Sequence, residues 1–276
     1  MNCAVALKRV LEFVLLFGIA GLLPSQAADT TVKLSDLSPK AQQAIQAQLG
    51  DGKLGNITRS SEGCEVRYDV DMTKGGRDRS FAVNEEGDML EIQVFMRELP
   101  QPVQRAIHAH ISHGTPESIL KANDDGEVSD DVEFTKEGKE RDLTLNSKGE
   151  LVQERMFMDE LPEAVRVALK REPAGVKFGE IYKTMDEGKI YYEIEFEGSG
   201  KARTVGFDAK GTMAYQEETV SFAEVPEAAR DAAKASLGGV TPCDVTKHTE
   251  GYEVSYEIEF KKNGKLQSVT VSSDGK

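Results

Sequence analysis

The chain has 276 residues and a formal charge of −14, from 34 Lys and Arg against 48 Asp and Glu. With 39% hydrophobic and 30% charged residues, it is too apolar and too well patterned to be a disordered acidic tail. So acidic a balance argues against a nucleic-acid binder, whose surface must neutralise phosphate with Lys and Arg.

Residues 1–27 read as a secretory signal peptide. Lys8 and Arg9 supply the positive start, Val10 to Leu23 is apolar except for Glu12, and Pro24 ends the helix. Ser25-Gln26-Ala27 is a small-x-small cleavage site, and Cys3 lies too early to serve as a lipoprotein anchor. The apolar run is too short, and the flank after it too polar, for a membrane span. The leader holds two bases and one acid, so the rest of the chain carries −15. No later stretch is apolar enough to cross a bilayer as a helix. The expected location is periplasmic or secreted, with no membrane span once the leader is removed.

Beyond the leader, the chain is built from four copies of one unit. Leu37-Ser-Pro-Lys-Ala41-Gln-Gln-Ala44-Ile45 recurs as Leu99-Pro-Gln-Pro-Val103-Gln-Arg-Ala106-Ile107, and again as Leu161-Pro-Glu-Ala-Val165-Arg-Val-Ala168-Leu169. The fourth copy is Val225-Pro-Glu-Ala-Ala229-Arg-Asp-Ala232-Ala233. Further equivalents are Ile57, Ile119, Ile181 and Val245, then Val70, Val132, Ile194 and Ile258. Glycines keep register at Gly76, Gly138, Gly200 and Gly264, and at Gly87, Gly149, Gly211 and Gly275.

Each copy opens with a helix. Pro39, Pro100, Pro162 and Pro226 stand at or near its first position, where a missing N–H costs nothing, and Ser38 is a ready N-cap. Val103, Ala106, Ile107 and Ile111 show the single apolar stripe. Three or four strands come next. Val66, Tyr68, Val70 and Met72 alternate with Arg67, Asp69 and Asp71, predicting one buried and one wet face. Asp130 departs from the pattern, standing on the core side where other copies have Tyr68, Tyr192 and Tyr256. Lys74-Gly75-Gly76 and Ser147-Lys148-Gly149 are hairpin turns. The predicted class is α+β: four tandem repeats, each one helix packed on a small antiparallel sheet of three to four strands. The boundaries are 28–98, 99–160, 161–224 and 225–276. The fourth-strand pattern of Met89–Met96 and Leu151–Met158 has no counterpart within the last copy, and Val32 and Leu34 align with Val94 and Met96 of it.

The Leu-Pro-x-x-Val-x-x-Ala-Ile/Leu leader, with hairpins ending in Gly-Lys, resembles the PepSY-like family of exported bacterial modules, also termed β-lactamase-inhibitor-like. The fourth copy, Ala232 through Gly275, is similar to the PepSY module of metalloprotease propeptides, with Tyr252 to Phe260 as its central strand. The resemblance implies a periplasmic or secreted module that binds protein and inhibits an enzyme. It carries over no catalytic residue.

The residues that could carry chemistry agree. His108, His110 and His113 are spaced i, i+2, i+5, which scatters them around a helix, whereas zinc helices place His at i and i+4. Asn123-Asp124-Asp125-Gly126 lacks the carboxylate spacing of a calcium loop and reads as a turn. No nucleophile elbow, phosphate loop or dinucleotide fingerprint occurs. No catalytic residue, metal ligand or cofactor is expected. The equivalent acids Asp69, Asp131, Glu193 and Glu257, and Asp71, Glu133, Glu195 and Glu259, line the outer sheet face. The plain reading is a solvated face; the sharper one is a repeated docking surface for a basic partner. Arg79, Arg141 and Arg203 recur on the third strand, either covering the sheet end with their stems or joining neighbouring copies. A Cys64–Cys243 bridge is geometrically allowed only if the first and last copies touch.

The functional expectation is an exported, non-enzymatic protein-binding array, partnered by another exported protein, with inhibition of a peptidase or hydrolase as its candidate role. The alternative is a periplasmic sensor or carrier of a small ligand or metal.

Overall fold

The computed structural model describes residues 30–276, apart from 113, 125–126, 174, 187 and 198–201. The signal-peptide reading and the assignments made to Cys3, His113, Asp125, Gly126 and Gly200 therefore lie outside the described residues. The elements begin with β1 (Thr30–Thr31), α1 (Pro39–Leu49), β2 (Lys53–Glu62), β3 (Glu65–Lys74), β4 (Arg77–Asn84) and β5 (Met89–Gln93). Next come α2 (Gln101–Ile111), β6 (Ser118–Asp124), β7 (Glu127–Lys136), β8 (Lys139–Asn146) and β9 (Leu151–Arg155). The third group is α3 (Glu163–Leu169), β10 (Lys177–Asp186), β11 (Lys189–Glu197), β12 (Arg203–Phe207) and β13 (Met213–Thr219). The chain finishes with α4 (Glu227–Leu237), β14 (Asp244–Glu250), β15 (Glu253–Lys262) and β16 (Lys265–Ser272).

The helices start as their sequences dictate. Ser38 Oγ accepts from Ala41 N at 3.1 Å, with Pro39 at the first helical position. Pro100, Pro162 and Pro226 take the N-cap position itself. The turn glycines have a shared reason. Gly87 lies at φ +85° against the first turn of α1, where a Cβ would stand 2.7 Å from Lys40 O. Gly149 and Gly275 meet Pro102 and Ala228 on their own helices in the same way.

The expectation of four tandem repeats, each one helix on a small sheet of three to four strands, is overturned. The strands of the described residues form one sixteen-stranded antiparallel sheet, each paired to its neighbour in chain order from β1 to β16. Strands β5, β9 and β13 cause this, because each pairs on both edges. Glu91 of β5 stands opposite Ala82 on one side and Ala122 on the other. Gln153 of β9 likewise faces Thr144 and Thr184. No edge is left at which a small sheet could end. The fourth-strand pattern also stops early, and Met96–Glu98 and Met158–Glu160 are 3₁₀ turns that lead into α2 and α3.

All four α-helices of the described residues cover one face. Val103, Ile107 and Ile111 of α2 pack with Ile119, Val132, Phe134, Leu143 and Leu145. Equivalent clusters hold Ala41 and Ile45 against Val70 and Phe81, Val165 against Ile194 and Val205, and Ala233 against Ile258 and Phe260. Asp130, the exception in the pattern, is fully buried on this face and accepts from Lys121 Nζ at 2.6 Å. Arg79 and Arg141 hold the sheet to the 3₁₀ turns after it through Glu98 and Glu160, while Arg203 reaches Glu172.

The sheet returns on itself. Cys64, in the β2–β3 turn, and Cys243, just before β14, have Cα atoms 5.3 Å apart and are joined as a disulfide. Beside them Lys261 of β15 pairs with Glu85 at 2.7 Å and Glu86 at 3.2 Å, in the β4–β5 turn.

Candidate functional site

The helix-free face of the sheet carries the acids at 69, 71, 131, 133, 193, 195, 257 and 259. Strand pleating puts every second residue there, so the carboxylates share the face by parity alone. Asp71 and Glu133 are exposed, Asp69, Asp131, Glu195, Glu257 and Glu259 are partly buried, and Glu193 is buried. The uniformly wet face read from alternation is therefore corrected at its centre. Glu91, Ser129, Thr144, Gln153, Tyr182, Thr184 and Glu193 are all buried, although they lie on the face opposite the helices.

Four clusters repeat across this face. In the first, Arg67 Nε donates to Asp69 at 2.8 Å and its Nη2 donates to Glu91. In the second, Thr144 Oγ1 donates to Asp131 at 2.5 Å, with Gln153 beyond it. In the third, the Tyr215 hydroxyl donates to Glu193. In the fourth, His248 Nδ1 lies 2.8 Å from Glu217, and its Nε2 lies 3.7 Å from Glu257. The carboxylates at 69 and 257 thus face cations, and those at 131 and 193 face hydroxyls.

The charges divide the same way. Burial pushes Asp131 up to about 7, with Glu91, Asp130 and Asp142 adding to the rise against the hydrogen bond from Thr144. Burial likewise takes Glu193 to about 7, against the hydrogen bond from Tyr215. Glu195 rises to about 7 through burial and the charge of Glu180, and Asp142 to about 6 through burial, with Arg155 opposing. Burial pulls His248 down, but its hydrogen bond to Glu217 and the charges of Glu217 and Glu257 outweigh that and hold it at about 9. The middle of the face is a set of carboxylates poised near neutrality, flanked by two cation-bound ones.

The other motifs add no second site. His108 is exposed, and His110 Nδ1 lies 4.0 Å from Glu154. Among the described residues no three His, Cys, Asp or Glu side chains are placed to hold a metal ion. A shallow open hollow of about 490 Å³ beside the end of α4 is lined by Phe222, Lys234, Leu237 and Val240, without a converging polar set. No helix among the described residues is long and apolar enough to cross a membrane.

The sequence pattern of the family described as "Putative beta-lactamase-inhibitor-like, PepSY-like" matches residues 66–153 and 190–268. The chain belongs to this family. Among solved structures, the PepSY-like chain is similar to a DUF2874 family protein from Bacteroides ovatus, at 15% identity and a TM-score of 0.35, covering 44% of this chain and 87% of that one. It is also similar to a BLIP-like protein from Bacteroides fragilis, at 18% identity and a TM-score of 0.32, covering 43% and 84%. No curated protein matches.

Sequence reasoning found the acids of the PepSY-like chain but not their partners. Arg67, Glu91, Thr144, Gln153, Tyr215 and His248 escaped it. A signal was present: positions 91, 153 and 215 are equivalent and change from Glu to Gln to Tyr as their neighbours at 82, 144 and 206 change from Ala to Thr to Gly.

Proposed function

We propose that this is an exported, non-enzymatic binding protein whose helix-free sheet face docks another exported protein, in the manner of an inhibitor of a peptidase or hydrolase. The observation that carries this reading is the face itself. Its carboxylates, exposed at Asp71 and Glu133 and partly exposed at Asp69, Asp131, Glu195, Glu257 and Glu259, share the side opposite the four α-helices of the described residues. Such a surface recognises by charge and hydrogen bonding, and its net acidity favours a basic partner. Family membership supports inhibition, and the leader at 1–27 supports a periplasmic or secreted location.

The test is capture from the periplasmic or extracellular fraction of the source organism on immobilised residues 28–276. The expected result is a protein retained by the native face and lost with Asp71→Lys/Glu133→Lys, whose hydrolytic activity falls as the chain is added. A retained protein indifferent to that double substitution refutes the face. Absence of any retained protein refutes the reading.

A further inference from the structure

We infer that Ser129, Asp131, Thr144 and Gln153 form a slot for an arginine side chain presented by the partner protein, an assignment that rests on the docking reading above. The first copy shows the filled version. There Arg67 spans Ala82, which stands opposite both Asp69 and Glu91, and its guanidinium bonds to both carboxylates. A planar fork between two acceptors on strands either side of a small residue is the geometry arginine suits best.

The second copy repeats the frame without the cation. Asp131 and Gln153 both stand opposite Thr144, and Ser129 replaces Arg67. The hydrogen bond from Thr144 serves one carboxylate oxygen of Asp131. The charges that act most strongly on Asp131 are those of Glu91, Asp130 and Asp142, all acids. Gln153 Oε1 and Ser129 Oγ are buried with no hydrogen-bond partner among the described residues, in residues only 7% and 1% exposed. A buried acceptor left unpaired costs about 1–3 kcal/mol, so a pair of them beside an uncompensated carboxylate marks a place for a donor.

The other copies treat the equivalent space differently. In the third copy the Tyr215 side chain lies over Gly206 and donates to Glu193, and in the fourth Glu257 stands opposite Thr270 of β16, the last strand of the sheet, so the frame has no third strand there. Among the four clusters, the second slot alone offers a carboxylate, an amide oxygen and a hydroxyl oxygen without a cation among them. Asp131 keeps enough exposure to give the entrance.

The test uses the whole chain from residue 28 and a small probe, N-acetyl-arginine amide, with its neutral citrulline counterpart as control. The Asp131 carboxyl is followed by carbon NMR through a pH titration. The expected result is a downward move of its midpoint by at least ~1 unit, saturating at millimolar arginine compound and absent with citrulline. Asp131→Asn, which leaves the fold's apolar clusters untouched, should abolish the accompanying shifts at Ser129 and Gln153. An unmoved midpoint up to ~0.1 M probe, or an equal response to citrulline, overturns the slot. Because the probe needs no partner, that failure leaves capture on the wider face standing, whereas failed capture refutes the docking reading by itself.

Discussion

The Tyr215 ring lies directly on Gly206, its register partner on the neighbouring strand, so that a Cβ at 206 would stand 2.3 Å from a ring carbon. Glycine weakens a strand, and here a cross-strand aromatic covers the gap it leaves. Gly206→Ala should expel the ring, strip Glu193 of its phenol donor and lower stability by about 2–4 kcal/mol in urea unfolding. Tyr215→Phe keeps the ring and loses only the hydroxyl, so about 1–2 kcal/mol is expected. An alanine variant as stable as the wild type would show that the ring is not held there.

Arg67 and Glu91 make the second test. The Glu91 side chain is 11% exposed, so removing its guanidinium partner strands a nearly buried charge. Arg67→Ala should cost about 3–5 kcal/mol, and adding Glu91→Gln should restore a large part of it. A double-mutant cycle with no coupling would contradict the pairing.

Asp131 and Glu193 give stability a pH slope. Both titrate near 7 in the native state, above their ordinary carboxylate values. The native state therefore holds these protons more tightly than the unfolded chain does. Their contribution is fully present below about pH 4 and is lost as pH rises towards 7. Asp131→Asn and Glu193→Gln should flatten the fall between about pH 4.5 and 8 in urea midpoints, and a variant keeping the wild-type slope would refute the assignment. His248 acts in a higher window. Held at about 9, it contributes fully below its unfolded value near 6.5, and that contribution disappears as pH climbs through 9.

The Cys64–Cys243 bridge closes a loop with a sequence separation of 179. On chain entropy alone, its loss should destabilise the fold by about 5 kcal/mol. Lys261, with Glu85 and Glu86, would then hold the seam by an exposed ion-pair group worth under ~1 kcal/mol. Reduction should therefore lower the melting temperature and expose the β2–β3 turn to proteolysis. Intact mass without reductant is the simplest check, and two free thiols would remove the clasp.

The helix stripes were legible because each copy repeats the same 3.6-residue spacing, as at Val103, Ile107 and Ile111. Strand parity was legible for the same reason, and it placed all eight acids on one face. Three things were hidden. Alternation reports which face a residue takes but not how crowded that face is, so Glu193 and Asp131 read as solvated. Pairing between copies leaves no local mark, since the two-edged bonding of Glu91 and Gln153 depends on residues far along the chain. The reason for Asp130 was hidden too, because its partner, Lys121, sits on the adjacent strand rather than beside it in sequence.

Docking on the helix-free face has a direct readout in site-specific crosslinking. A photo-crosslinking residue at Glu133, exposed on that face, should capture the partner in the source organism's own compartment. The same residue at Arg105, exposed on α2, should not. Crosslinks from 133 and none from 105 are the expected result; crosslinks from 105 alone would place the partner on the helices and overturn the docking face.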